Sequence, residues 1–436
     1  MTSVWCRTAA LPGGVAESVR LTTEGGRITG VRAGSPPEPG DVQLDHVLPG
    51  AANAHSHCFH RALRGRTHAD GGTFWTWREQ MYAVAERLTP DSYEALAAAV
   101  FAEMLVSGWT AVGEFHYVHH RADGTPYAHH DMELALARAA SSTGIRLTLL
   151  DTCYLRGGPG VPLGHEQRRF SDATVDAWLA RWHALRDELA GSGVVLGAAV
   201  HSVRAVEERD IARVVAGLPA DVPLHAHVSE QPREDEECRA EHGCSPTQLL
   251  DRSGALSDRF TAVHATHVTP EDIDLLACAG AAVALCPSTE ADLGDGIGPF
   301  RALADAGVRV ALGSDQNAVI DPYAEARMLE HHARLESLRR GQFSPAQLEG
   351  ALTAGHRALG RPAVALEPGA PADLVELRSR SVRTAGSDPG QLVLSATAAD
   401  VGTVVVGGEV VARDGRLSDG TDPAGLLLAA LQGVQP

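Results

Sequence analysis

Short apolar runs broken by turn residues mark both ends of the chain, and its middle alternates such runs with stretches of helical period. Near the N-terminus "GGRITGVRAG" and "DVQLDHVLPG" read as short strands, because alternating apolar positions are bounded by Gly, Pro and Asp. The C-terminal part, "GAPADLVELRS" and "VGTVVVGGEVVARDGRL", reads the same way. The two ends are expected to pair into one small β-sandwich built from residues 1–49 and 365–436. It would flank a central unit of residues 50–364.

In that central unit, strand-like runs alternate with amphipathic stretches such as "SYEALAAAVFAEML" and "ATVDAWLARWHALRDELA". This alternation predicts parallel βα units. The strand candidates end near His55, Glu114-Phe115-His116, Asp151-Thr152, His201-Ser202, His227-Val228, His264-Ala265, Pro287-Ser288 and Asp315-Gln316. Eight units over roughly 300 residues fit an α/β fold of the (β/α)8 TIM-barrel type, whose chemistry sits at the C-terminal ends of the strands. No GxGxxG follows an early strand, and no short repeat suggests a solenoid.

Composition narrows the function. The chain has 436 residues and is 44% apolar, enough for a large core. A formal charge of -18 disfavours binding to nucleic acid or an anionic membrane surface. An acidic small molecule would need local arginines. All 37 basic residues are arginine, so neither a lysine Schiff base nor a carboxylated lysine bridging two metals is available. The seven cysteines are scattered without a CxxC, which fits a reducing compartment. With no signal-like N-terminal stretch and no apolar run near ~20 residues, the expectation is a cytoplasmic protein.

The strand ends carry the candidate chemistry. His55 and His57 stand at i and i+2 in "AHSHCFHR", so both point to one side of an extended strand. A bare HxH is a weak signal, and His60 lies past the strand. Further on come His225 and His227 in "PLHAHVSEQ", with Glu230 three residues later. His264 and His267 follow in "FTAVHATHV", and Asp315 in "VRVALGSDQN". A buried strand ending in His or Asp is costly unless the polar group finds a partner. Four such ends in one barrel point to a shared ion.

This order of residues resembles the amidohydrolase superfamily: HxH after strand 1, His after strands 5 and 6, Asp after strand 8. The step His227-x-x-Glu230 is similar to that of its deaminases. The resemblance implies one divalent ion, zinc or alternatively iron, held by His55, His57, His227 and Asp315. An ion there lowers the pKa of bound water from about 15.7 toward about 7. Asp315 would also take the water's proton, His264 would polarise the water or the transition state, and Glu230 would carry a proton to the leaving nitrogen. His225 and His267 are expected to pack behind these groups.

Arg78, in "FWTWREQMY", and Arg204, in "HSVRAV", lie near the predicted mouth on different loops. Guanidinium groups bind carboxylates through a two-pronged fork, so two of them suggest a dicarboxylate substrate. Either could equally be a surface ion pair. Together with "EFHYVHH", "VHATH" and "STEADLGDGIGP", these stretches resemble the formimidoylglutamate deiminases along nearly the whole chain. That resemblance implies hydrolysis of N-formimino-L-glutamate to N-formyl-L-glutamate and ammonia in histidine degradation. It also implies a homodimer. His201 and Arg204 would hold one substrate carboxylate, and Arg78 and Tyr117 the other. His60 would be a substrate-side residue where some members carry glutamine. Gln316-Asn317 is a second departure from the pattern. The rival expectations are an imidazolonepropionase-like ring amide hydrolase, an aromatic-base deaminase using Phe74, Trp75 and Trp77 as a stacking platform, or a metal- or ligand-binding protein without turnover.

Overall fold

The computed structural model describes residues 3–68 and 74–434, with the backbone alone at Phe74 and Trp75. The proposed aromatic platform therefore lies in part outside the described residues.

The N-terminal strands are β1 (Ser3–Leu11), β2 (Gly14–Glu24), β3 (Arg27–Arg32) and β4 (Val42–Pro49). The barrel strands are β5 (Ala51–Ser56), β6 (Trp109–His116), β7 (Arg146–Cys153), β8 (Val195–Ser202), β9 (Leu224–Val228), β10 (Phe260–His264), β11 (Ala282–Leu285) and β12 (Arg309–Leu312). After the barrel come β13 (Leu374–Leu377), β14 (Val401–Val406), β15 (Glu409–Arg413) and β16 (Arg416–Leu417).

β5 to β12 form one parallel sheet in sequence order. Residues of β5, β6, β9, β10 and β11 are buried throughout, as expected where helices cover the outer face and side chains fill the inner one. The sheet closes between its first and last strands through the segment after β12. Ser314 and Asp315 N–H groups both donate to the His55 carbonyl, and His57 N–H donates to the Asp315 carbonyl. Gly313 makes this closure possible: a Cβ there would stand 2.8 Å from the His55 carbonyl oxygen and 3.0 Å from its Cβ. On the outer face the helix Pro345–Ala358 presses against β5 at Gly355, where a Cβ would stand 2.5 Å from the Ala52 carbonyl oxygen.

The terminal segments share a second sheet, in the order β16-β15-β14-β13-β4-β1-β2-β3. It is one sheet folded back on itself. The β3 edge returns to the chain entering β13, where Ile28 N–H donates to the Ala370 carbonyl and Ala372 N–H to the Gly26 carbonyl. The fold encloses Val4, Cys6, Leu21, Ile28, Val47 and Leu374, all at most 1% exposed. Side chains of this kind contribute about 1.5–3 kcal/mol each when fully buried.

The terminal segment departs from the all-strand expectation. Residues Pro423–Leu431 form a helix that packs against the barrel helix Pro90–Ser107. "PAGLLLAAL" lacks β-branched residues and begins on an Asp422 side-chain cap, so a helix is its better local solution. Among the described residues, no helix is long and apolar enough to cross a membrane.

Candidate active site

Four strand ends converge at the barrel mouth. His55 ends β5, with His57 just beyond it; His227 lies on β9; Asp315 follows β12. His227 Nε2 stands 3.3 Å from His55 Nε2 and 3.4 Å from His57 Nε2. Asp315 Oδ1 stands 3.3 Å from His55 Nε2 and 3.5 Å from His57 Nε2. Neighbouring donors at about 2.0–2.1 Å from one ion lie about 3.3–3.4 Å apart, close to the spacing of these four pairs.

The tautomers strengthen the fit. His57 Nδ1 is 2.9 Å from the Phe115 carbonyl, and His227 Nδ1 is 2.9 Å from the His201 carbonyl. A carbonyl only accepts, so each Nδ1 carries the hydrogen and each Nε2 is left with a lone pair. Burial, reinforced by the neighbouring imidazoles, holds His55, His57 and His227 well below the usual histidine range, so all three are neutral. Lone pairs of neutral imidazoles facing one another at 3.4 Å repel unless a cation lies between them. At His57 and His227 the second nitrogen fixes the ring orientation as ligating histidines require. The residues present fit a divalent ion.

His264, at the end of β10, stands next to this group. Its Nε2 is 3.7 Å from Glu230 Oε1 and 3.9 Å from Asp315 Oδ2, and its Nδ1 is 3.4 Å from Glu290 Oε1. Burial lowers its pKa, but Glu230, Glu290 and Asp315 together outweigh burial and bring it up to about 10 in the ion-free chain. The backbone around these groups is unusual. Ser229, His264, Ala265, Asp315 and Asn317 all have positive φ, between 40° and 70°. Non-glycine residues hold this conformation at a cost of order 1–3 kcal/mol, typically where function requires it.

The expected substrate-side residues surround a small inner cavity of about 60 Å³. Its walls include His60, Trp77, Arg78, Tyr117, His201 and Arg204. Arg78, His201 and Arg204 also line an outer vestibule of about 560 Å³, so they form the neck between the two spaces. Arg204 has one Nη 3.7 Å from Glu230 and its Nε 3.8 Å from Glu234, while the Nε has no hydrogen-bond partner. Arg78 reaches the Tyr154 hydroxyl and lies over the Tyr82 ring. His60 turns its Nε2 to the Tyr117 hydroxyl at 3.1 Å and leaves Nδ1 without a partner.

His225 and His267 stand back from the cavity, donating to the Ala358 and Asp295 carbonyls. Neither Gln316 nor Asn317 lines the cavity. Gln316 bonds Asp292, and the Asn317 amide ties the Ser56 hydroxyl to the His57 and Asp315 carbonyls. Asn317 thus ties the barrel seam, and Gln316 ties its end to the segment after β11.

Sequence reasoning missed Tyr154, Met81 and Leu293 at the cavity and its neck, and Glu234, Glu290 and Asp295 behind it. "STEADLGDGIGP" was the available signal for Glu290 and Asp295, since five acidic or small polar positions sit after a buried strand.

Comparison with known proteins agrees with this geometry. The amidohydrolase family model matches residues 46–411. A formimidoylglutamate deiminase of Pseudomonas aeruginosa is 37% identical over 95% of this chain and 96% of its own. An amidohydrolase crystal structure from Brucella melitensis superposes with a TM-score of 0.93 at 36% identity, covering 100% of both chains. An adenosine deaminase from Xanthomonas campestris, solved with bound zinc, superposes with a TM-score of 0.84 at 25% identity over 99% and 97% of the two chains. With its barrel, its converging His and Asp side chains and these matches, the chain belongs to the amidohydrolase family.

Proposed function

We propose that the protein is a metal-dependent deiminase that hydrolyses N-formimino-L-glutamate to N-formyl-L-glutamate and ammonia. The observation that carries this reading is the contact between the two halves of the site. Arg204, at the cavity neck, lies 3.7 Å from Glu230, beside the ligand cluster. A substrate whose carboxylate is only a few bonds from its reacting C–N group suits that spacing. The likeness to the Pseudomonas aeruginosa deiminase supports the same substrate.

A divalent ion, zinc by preference, held by His55, His57, His227 and Asp315 would supply Lewis acidity and a water of lowered pKa. Asp315 points Oδ1 at the ligand imidazoles and Oδ2 toward His264, so one oxygen can serve the ion and the other can accept the water's proton. His264 stabilises the charge that develops as water adds to the formimino carbon. Glu230, 3.7 Å from His264, delivers the proton to the departing nitrogen. The C–N bond breaks, ammonia leaves, and the carbon is left as a formyl group.

Arg204 with His201, and Arg78 with Tyr117, hold the two substrate carboxylates. They contribute orientation, which lowers the barrier by fixing the attack geometry in advance. His60, hydrogen-bonded to Tyr117, shapes the wall beside the formimino group. A homodimer and a cytoplasmic location belong to the same reading, and the absence of any disulfide among the seven cysteines suits the latter.

The test is to incubate metal-loaded protein with N-formimino-L-glutamate and assay ammonia and formylglutamate. Stoichiometric release of both is expected. Turnover of a ring amide or an aromatic base, with none of formiminoglutamate, would replace this reading with one of its rivals.

A further inference from the structure

The segment from Cys286 to Pro299, which follows β11, contributes only Leu293 to the inner cavity. Glu290 and Asp295 face the protein instead, and they reach two neighbouring strand ends at once. Glu290 is fully buried; its Oε1 accepts the Cys286 N–H at 2.8 Å and faces His264 Nδ1 at 3.4 Å. Asp295 is 3% exposed; its Oδ1 accepts from the side-chain amide of Gln231, the residue next to Glu230. Its carbonyl accepts from His267 Nε2 at 2.8 Å, and its own N–H donates to the Glu290 carbonyl at 2.9 Å.

Two observations separate this from ordinary packing. Ser229, His264 and Ala265 have φ of 49°, 70° and 54°, outside strand geometry, so the strands alone do not set where Glu230 and His264 point. In addition, Glu290 Oε2 and Asp295 Oδ2 are buried with no hydrogen-bond partner. Leaving a buried carboxylate oxygen unpaired is destabilising, and an element kept for stability alone would do better with apolar side chains.

We propose that this segment braces the two strand ends, and that Glu290 and Asp295 are positioning residues that set the separation of His264 from Glu230. The inference rests on the reading of Glu230 and His264 as the acid/base pair. Glu290 orients the His264 ring through Nδ1, as a carboxylate behind an imidazole commonly does. Asp295 fixes Gln231 and so the turn that carries Glu230. Burial and the Glu230 charge push the Asp295 carboxyl up, and asparagine keeps its shape and an oxygen to accept from Gln231.

The test compares Glu290→Leu, Glu290→Gln, Asp295→Ala and Asp295→Asn in metal-loaded protein turning over N-formimino-L-glutamate. Bound metal and melting temperature are measured on each variant. Glu290→Leu is expected to lower kcat about 10- to 100-fold with KM and metal content unchanged. Glu290→Gln, which keeps an acceptor for Nδ1–H, should recover part of that loss. Asp295→Ala should lower kcat about 10-fold and Asp295→Asn should restore it. Wild-type kcat in folded Glu290→Leu and Asp295→Ala would overturn the proposal, as would an asparagine variant no better than alanine. A parallel loss of kcat, KM and metal would overturn it too, since that is general damage. A second readout needs no substrate: the Nδ1–H resonance of His264 in 15N-histidine-labelled protein should be present in the wild type and lost in Glu290→Leu. If the wild type released no ammonia, the functional reading would fail, and the resonance alone would decide the brace.

Discussion

At the barrel mouth, His55, His57 and His227 lie close together, with Asp315 beside His55 and His57; beside β6 and β7, His116, His119 and Glu133 lie just as close together. Both groups are buried and both could reach a metal by distance. Their hydrogen bonds tell them apart. His119 donates from Nδ1 to Glu133 at 2.8 Å and from Nε2 to the Thr152 carbonyl at 2.9 Å. His116 meets Tyr93 on one side and Glu133 on the other. Arg181 then neutralises Glu133, Asp151 and Asp172. Every imidazole nitrogen there has a partner, and a guanidinium already fills the place of a cation. At the mouth, the Nε2 lone pairs of His57 and His227 face one another at 3.4 Å. Proximity is shared by both clusters; unmatched charge and lone pairs occur in only one.

The comparison can be broken most directly at Asp315. Asp315→Asn removes a ligand charge and the proton acceptor together, and should cost about 10⁴-fold in kcat along with most of the bound metal, read by kinetics and elemental analysis. If metal were retained and activity changed less than tenfold, the mouth would be no more a metal site than its neighbour. Arg181→Met should have the opposite profile. It strands buried carboxylates and should lower unfolding free energy by about 3–5 kcal/mol in denaturant titration, while metal bound per folded chain stays the same. Loss of the metal there would mean that the two clusters are one system.

A smaller effect is expected at Arg204. With Arg204 assigned to the substrate's remote end in the proposed function, Arg204→Met should raise KM about 100-fold with kcat changed only a few-fold. A matching fall in kcat would place Arg204 in the chemistry. The mildest test uses pH. Burial depresses His225, behind the ligands, to about 4, against about 6.5 in an unfolded chain. The unfolded state therefore binds the proton first. Stability from this group is complete above about pH 6.5 and falls by about 1.4 kcal/mol per pH unit down to about pH 4. His119 behaves in reverse: burial works against its proton, but Asp151 and Glu133 raise its pKa, so its contribution is present below the unfolded value and fades as pH climbs through the raised one. In stability followed across both windows, His225→Gln should flatten the slope below about pH 6.5 and leave the one above it.

Much of the mouth was legible in the sequence because strand periodicity orders it. His55, His227, His264 and Asp315 each end or follow an apolar run, and barrel topology brings such ends together. The second cluster was not legible. "EFHYVHH" was read for its Tyr117, and the partners of His116 and His119 come from helices at Glu133 and Arg181 with no fixed spacing to them. Glu234, Glu290 and Asp295 escaped for the same reason, since they act through tertiary contacts across loops. The helix at Pro423–Leu431 was missed because the strands before it set the expectation.

The way the chain ends meet has a consequence for biosynthesis. β4 leads through Gly50 straight into β5, the strand that carries His55, and β4 is paired on one side by β13. The Gly50 N–H is also taken by the Asp373 carbonyl, and its own carbonyl by His356. A nascent chain that has emerged through Ser56 thus has the strand that carries His55 but not β13, which pairs with the strand before it. Asp315 and β13 emerge much later, and contacts this distant in sequence form slowly. The ion site should be among the last features to assemble, and a ribosome-stalled chain ending before residue 374 should fail to retain metal.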